Sequence, residues 1–195
     1  MHPSHQNRRD IVHLEALVSA LPAPSQERFR RIFHVATTVG RLVPPPEMVP
    51  WIERVFGSVD AVREQAIVKV TNLITLEGAL FNGLRAHRPM EAKGSADVAR
   101  TIEDAAGDPF CHPETGTPAD SFGRVRGEHA ITASNVAKYD GFHGLVIFDE
   151  HNPLTFTREQ VRDCLDLALA WAQKAREEDA EAKYFFFMWN CLWKS

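Results

Sequence analysis

The sequence predicts an α+β fold, and three observations predict it. Two apolar, β-branched runs, HAITASN at 129–135 and FHGLVIF at 142–148, are joined by a polar bend containing Lys138, Tyr139, Asp140 and Gly141, which reads as an antiparallel pair. A strong helix signal follows. Thr157 and Gln160 have capping-box spacing, and Val161, Leu165, Ala168 and Ala172 form an apolar stripe flanked by Trp171. The aromatic run YFFFMWNCLW at 184–193 then reads as a buried strand, so the order is strand, strand, helix, strand.

Upstream, the spacing predicts helices. Ser25 is placed to cap one whose apolar positions Phe29, Ile32, Phe33, Ala36 and Val39 recur at intervals of three and four, with Gly40 at its end. Prolines 44–46 break it. Pro50 opens a short helix ending at Gly57, and Ser58 caps another through Val62, Ala66, Ile67 and Val70. Residues 1–70 therefore read as a helical N-terminal extension, and 71–195 as the main domain. Within that domain, 72–82 reads as a strand or hairpin with Gly78 at a bulge or turn. Residues 94–106 read as a helix capped by Ser95 and stopped by Gly107, and 107–128 as a loop rich in Gly, Pro, Thr and Asp.

Composition narrows the function. With 195 residues, 44% hydrophobic and 25% charged, the chain has enough apolar content for a buried core. A formal net charge of −4 gives no overall attraction to nucleic acid or to an anionic membrane, so any phosphate recognition has to be local. Three cysteines, Cys111, Cys164 and Cys191, have no paired spacing, and the first residues lack a charged-then-apolar leader. Both points predict a reducing cytoplasm. The run at 184–193 is about half the roughly 20 residues a membrane-spanning helix needs, which argues against membrane insertion.

The local charge lies in NLITLEGALFNGLRAHRP, residues 72–89. Arg85 and Arg88 sit just past an apolar strand, and each presents a planar fork of donors that matches phosphate oxygens; Pro89 stiffens the chain behind them. Read alone, the pair is more simply two solvated surface arginines. In order, Asn72, Thr75, Glu77, Leu80, Arg85, Ala86, Arg88 and Pro89 resemble the N-terminal signature of galactose-1-phosphate uridylyltransferases, approximately N-P-L-T-G-E, an apolar strand and H-R-A-K-R-P. These enzymes belong to the histidine triad superfamily of nucleotidyltransferases. The resemblance extends more weakly from about residue 107 to the last residue.

The resemblance implies a histidine triad-like antiparallel sheet with packed helices, and an enzyme that moves a nucleotidyl group between sugar phosphates through a nucleotidyl-histidine. It implies substrate contacts at Arg85, Arg88, Asn135 and Asn190, with a nucleotide sugar and a sugar phosphate as ligands, and homodimerisation. For each asparagine the plain alternative is a turn or strand-end residue bonding its own backbone. It also implies a structural zinc, for which Asp108, Cys111 and His151 are the matching positions. Three ligands without a fourth make a poor tetrahedral site. Without zinc, Asp108 reads as a turn residue, Cys111 as a small buried hydrophobe and His151 as a cap near the following turn.

The catalytic H-x-H-x-H or H-x-H-x-Q motif of such enzymes has no counterpart. None of the nine histidines lies two residues from another, so no catalytic residue can be named. The expectation is a histidine triad domain left incomplete at its C-terminus, with Phe185, Phe187, Trp189 or Trp193 partly exposed on an unpaired strand. Two functional classes stand: part of a nucleotidyltransferase, or a non-catalytic module that binds a nucleotide or a partner. A dinucleoside polyphosphate phosphorylase or adenylyltransferase is the nearest enzymatic alternative.

Overall fold

The computed structural model describes residues 10–87 and 97–190, and the fold is α+β. A single helical turn at Ile11–His13 leads into α1 (Leu14–Ser19) and α2 (Ala23–Ile32), and the chain then extends into β1 (Phe33–Arg41). Beyond the prolines come α3 (Val49–Phe56), α4 (Val59–Arg63), β2 (Glu64–Asn72) and β3 (Gly78–Phe81). After α5 (Val98–Asp104) and α6 (Pro113–Gly116), the chain forms β4 (Ala130–Ser134), β5 (Gly144–Phe148) and α7 (Arg158–Glu178). β1, β2 and β3 make one antiparallel sheet in that order, and β4 with β5 makes a second. No helix among the described residues is long and apolar enough to cross a membrane.

The first 70 residues are not a helical extension. α2 stops at Ile32, and Phe33–Arg41 pairs with β2 along its whole length, from Phe33 opposite Asn72 to Arg41 opposite Glu64. The apolar residues from Phe29 to Val39 satisfy helical spacing, yet Val35, Thr37, Thr38 and Val39 are β-branched, and the nine-residue ladder offered by β2 decides the outcome. Pro22, not Ser25, precedes the first turn of α2, and Gly40 lies inside a strand. Ser58 does cap α4, accepting from the Ala61 N–H at 3.2 Å, but that helix ends at Arg63. Ala66, Ile67 and Val70 belong to β2, which runs across the expected boundary at residue 70.

Other elements follow the expectation in part: α5 is shorter than the 94–106 expected, and α6 (Pro113–Gly116) lies in the stretch 107–128 expected as a loop. α3 closes on Gly57 at φ 76°, a left-handed position that favours glycine. The β2–β3 hairpin turns through Asn72, whose Oδ1 accepts from the N–H groups of Ile74 and Thr75; Gly78 opens β3. The cap of α5 is Asp97, while Ser95 lies outside the described residues. In α7 the capping box is complete: the Thr157 side chain accepts from the Gln160 N–H, and the Gln160 side chain accepts from the Thr157 N–H.

Burial falls in three clusters among the described residues, one of them Ile131, Ala133 and Ile147 of β4 and β5 with Leu145. Leu42, Met48, Ile52 and Val62 form another, against which Trp51, Leu84 and the distant Val136 pack. Beneath α7, Ala130, Cys164 and Leu167 form the third with Val146 and Phe148. Complete burial of an aliphatic side chain such as Ile52 or Val62 contributes roughly 1.5–3 kcal/mol. Asp163 of α7 ties the helix to the entrance of β4 by accepting from the backbone N–H groups of His129 at 2.8 Å and Glu128 at 3.1 Å.

Within its described part, 184–190, the run expected as a buried strand is not one. Tyr184–Asn190 makes no ladder hydrogen bond to any described strand, and it is exposed. It is nonetheless extended in its packing. Phe185, Phe187 and Trp189 are 41–46% exposed, whereas Tyr184 and Phe186 between and beside them are 96% and 88% exposed. That two-residue alternation puts Phe185 against Trp171 and Trp189 against Phe148 and Phe156. The expected partial exposure of the odd-numbered aromatics is therefore present, and Trp193 lies outside the described residues.

Candidate functional site

Arg85 sits on a one-turn helix, Gly83–His87, that begins directly after β3. Asn82 starts this turn: its carbonyl accepts from the Arg85 N–H and its Oδ1 accepts from the Leu84 N–H, both at 3.0 Å. The guanidinium reaches a segment more than fifty residues away. Nη1 donates to the Ala137 carbonyl at 2.9 Å, Nη2 donates to the Tyr139 hydroxyl at 2.7 Å, and Cζ lies 3.7 Å from the centroid of the Tyr139 ring.

Asn135 follows β4 and opens the bend. Its Oδ1 accepts from the Ala137 N–H at 3.0 Å, which is the turn bond of the plain alternative. Two of the four expected substrate contacts thus meet at one residue, Arg85 on the Ala137 carbonyl and Asn135 on the Ala137 N–H. Asn190 is exposed at the end of the C-terminal aromatic segment and is not bonded to this cluster. Arg88 lies outside the described residues.

The bend is far less solvated than its composition suggests. Lys138 is entirely buried, and its Nζ lies 3.3 Å from Asp120 Oδ1 and 2.6 Å from Ser134 Oγ. The second oxygen of Asp120 accepts from the Trp171 indole N–H at 2.6 Å, which brings α7 into the same network. Burial holds the Lys138 ammonium below its ordinary value, and the Asp120 carboxylate opposes that shift. The stem of Lys138 lies over β1, so closely that a Cβ added to Gly40 would come within 2.6 Å of its Cδ. At the rim, Asp140 pairs with Lys69 from β2, and the Thr38 hydroxyl donates to it at 3.4 Å.

Thr38, Lys69, Asn135, Ala137, Tyr139 and Asp140 line an open trough of about 2700 Å³, between the first sheet, the 134–143 bend, β5, α7 and the C-terminal aromatic segment, and Arg85 meets it through its bonds to Ala137 and Tyr139. That volume is several times the roughly 300–1,000 Å³ of a small-molecule pocket, so a ligand would occupy only part of it. One wall is aromatic: Trp171 stands edge-on to Phe142 and Phe185, with centroids 6.4 and 5.9 Å away. Polar groups at one end and aromatic rings along a wall suit a ligand with a flat ring and many hydroxyl or phosphate oxygens.

The expected zinc positions assemble only in part. Cys111 Sγ is 3.1 Å from His151 Nδ1, and His151 Nε2 is 2.8 Å from the Ile102 carbonyl. A carbonyl only accepts, so in the neutral ring Nε2 carries the proton and Nδ1 accepts from the thiol. Both ring nitrogens are thereby engaged within the protein. Asp108 Oδ1 accepts from the N–H groups of Phe110 and Cys111, which makes it the turn residue of the plain alternative. Among the described residues no group of three or more His, Cys, Asp or Glu side chains is placed to hold a metal ion, so the residues present do not fit a tetrahedral zinc. Cys164 offers no nucleophile either, since burial pushes its thiol up to about 11.

Sequence reasoning missed Gln65, Asn82, Asp120, Lys138 and Tyr139. A lysine in a run of Asn, Tyr, Asp and Gly reads as solvated, and nothing local marks the buried aspartate that meets it. No family model, curated protein or solved structure matches the chain, and the chemistry of the site rests on its own residues.

Proposed function

We propose that the Arg85 turn and the 135–140 bend form the nucleotide-sugar contact of a nucleotidyltransferase resembling galactose-1-phosphate uridylyltransferase, with this chain as its N-terminal, substrate-holding part. The observation that carries this reading is the meeting of Arg85 and Asn135 on Ala137. Both were expected contacts, and fifty residues of sequence separate them. A guanidinium has five donors, of which these bonds use two, and its charge offsets a diphosphate whatever the overall charge of −4. The aromatic wall of the trough offers stacking surface for a base or a sugar. In such an enzyme the attacking imidazole comes from the H-x-H motif, which these 195 residues do not contain; their share of the work is binding.

We place the protein in the cytoplasm as a homodimer acting on a nucleotide sugar and a sugar phosphate. Cys111 and Cys164 are free thiols, as a reducing compartment favours. The lack of any H-x-H favours a second reading, a non-catalytic module that binds nucleotide or partner.

Calorimetric titration with UDP-glucose tests the binding claim. The wild-type chain binds, Arg85→Ala weakens binding at least tenfold, about 1.4 kcal/mol, and Arg85→Lys, which lacks the planar fork, does not restore it. Equal affinity in all three removes Arg85 from the site. Intact-mass measurement after incubation separates the two readings. A protein continued along its reading frame through an H-x-H motif gains one uridylyl group if it is a transferase, and gains nothing if it is a binding module.

A further inference from the structure

Beyond Asn135, whose N–H donates to the His143 carbonyl at 2.9 Å, the bend through residue 140 is held by side chains. The Val136 carbonyl accepts from Gln65 Nε2 at 2.7 Å, the Lys138 N–H donates to Gln65 Oε1 at 3.2 Å, and the Lys138 carbonyl accepts from Asn82 Nδ2 at 2.9 Å. Arg85 and Asn135 take the two polar groups of Ala137, and the Tyr139 N–H donates to His143 Nδ1 at 3.1 Å.

Gln65 and Asn82 are also bonded to each other, Asn82 Nδ2 donating to Gln65 Oε1 at 2.8 Å, and they are only 3% and 8% exposed. Gln65 Nε2 additionally donates to the Val62 carbonyl at 2.8 Å. The orientation of both amides follows from these partners, because the nitrogens face acceptors and the oxygens face N–H groups. Asn82 does a second job. Its Oδ1 holds the turn that carries Arg85, while its Nδ2 holds the bend that carries Asn135 and Tyr139.

We propose that the buried amide pair Gln65–Asn82 is the positioning device of the site, fixing the Arg85 guanidinium in register with the 135–140 bend. The proposal rests on the nucleotide-sugar reading above. Neither amide lines the trough; the pair sets the spacing between Arg85 and the bend residues Asn135, Ala137 and Tyr139, which do. A ligand bridging Arg85 and the bend then meets two preset halves, and no binding free energy is diverted to bring them together. Carboxylates of the same shape fail here: Glu at 65 would face the Val62 and Val136 carbonyls with an acceptor, and Asp at 82 would face Gln65 Oε1 and the Lys138 carbonyl.

The test is residue-resolved hydrogen exchange on the wild-type chain, Gln65→Glu and the milder Asn82→Ser, each also titrated with UDP-glucose. The amide of Lys138 exchanges at least tenfold faster in the variants, while the β4 amides of Thr132 and Ser134 keep wild-type protection; affinity falls at least tenfold. A rise spread equally over the bend and β4 overturns the proposal, since it marks plain destabilisation. So does an unchanged bend, and so does a loosened bend with unchanged affinity. Absence of UDP-glucose binding by the wild-type chain overturns the ligand reading and the ligand half of the proposal, while local exchange still decides the positioning half.

Discussion

Lys138 has no exposed surface, and among the described residues it is the largest side chain buried so completely. Its ammonium keeps company with Asp120 and Ser134, and Asp120 is itself 1% exposed and bonded to Trp171. Removing one partner of a buried ion pair strands the other, which typically costs about 3–5 kcal/mol. Lys138→Met is expected to lose stability on that scale in urea unfolding, and Lys138→Met with Asp120→Asn is expected to recover part of it, because the neutral amide leaves no stranded charge and its oxygen can still accept from the Trp171 N–H. A loss below about 1 kcal/mol for the single variant contradicts the buried pair. At this scale the sequence singled out Arg85 by its planar fork of donors and Asn135 by the family resemblance. It did not mark Lys138, Gln65 or Asn82, whose roles come from partners 17 to 73 positions away.

Elements with local signals were legible, and those decided by distant pairing were not. α7 carries its own cap and stripe, and β4 and β5 carry their own β-branched runs. β1 carries apolar residues that suit either period, and only β2 resolves the ambiguity. For 184–190 the local pattern is strand-like, yet a strand also needs a ladder partner, which no described element supplies. The join between α7 and β4 gives an acid-dependent prediction. The N–H groups of His129, and secondarily of Glu128, hold the Asp163 carboxyl below its usual range. A depressed carboxyl contributes stability fully above its unfolded value near 3.8 and loses it as pH falls through the lower folded value. The stability difference between wild type and Asp163→Asn is therefore constant from pH 7 down to about pH 5 and shrinks below about pH 4. A difference independent of pH down to full acid unfolding contradicts this role.

At the scale of the whole molecule, the division at residue 70 does not survive the pairing. β2 spans it, Val136 packs on the cluster built from Leu42 to Val62, and Gln65 bonds to Val136 and Lys138. Cutting between residues 70 and 71 would remove β1 and most of β2, leaving β3 without a partner and the bend without Gln65. The fragment 71–195 is expected to show no cooperative unfolding and no dispersed amide spectrum, whereas the full chain shows both. A folded, cooperative fragment would restore the two-part organisation. The α+β class was legible from composition and period, while the contribution of the first 70 residues to the site was not, because it is made through backbone pairing and buried amides.

The most direct test of the central claim is an amide chemical-shift map of the full chain titrated with UDP-glucose. Saturable shifts are expected, concentrated at Ala137, Lys138, Tyr139 and the Arg85 turn, and lost in Arg85→Ala. Shifts that do not saturate, or that fall on the Cys111–His151 pair and leave the bend unmoved, would contradict it.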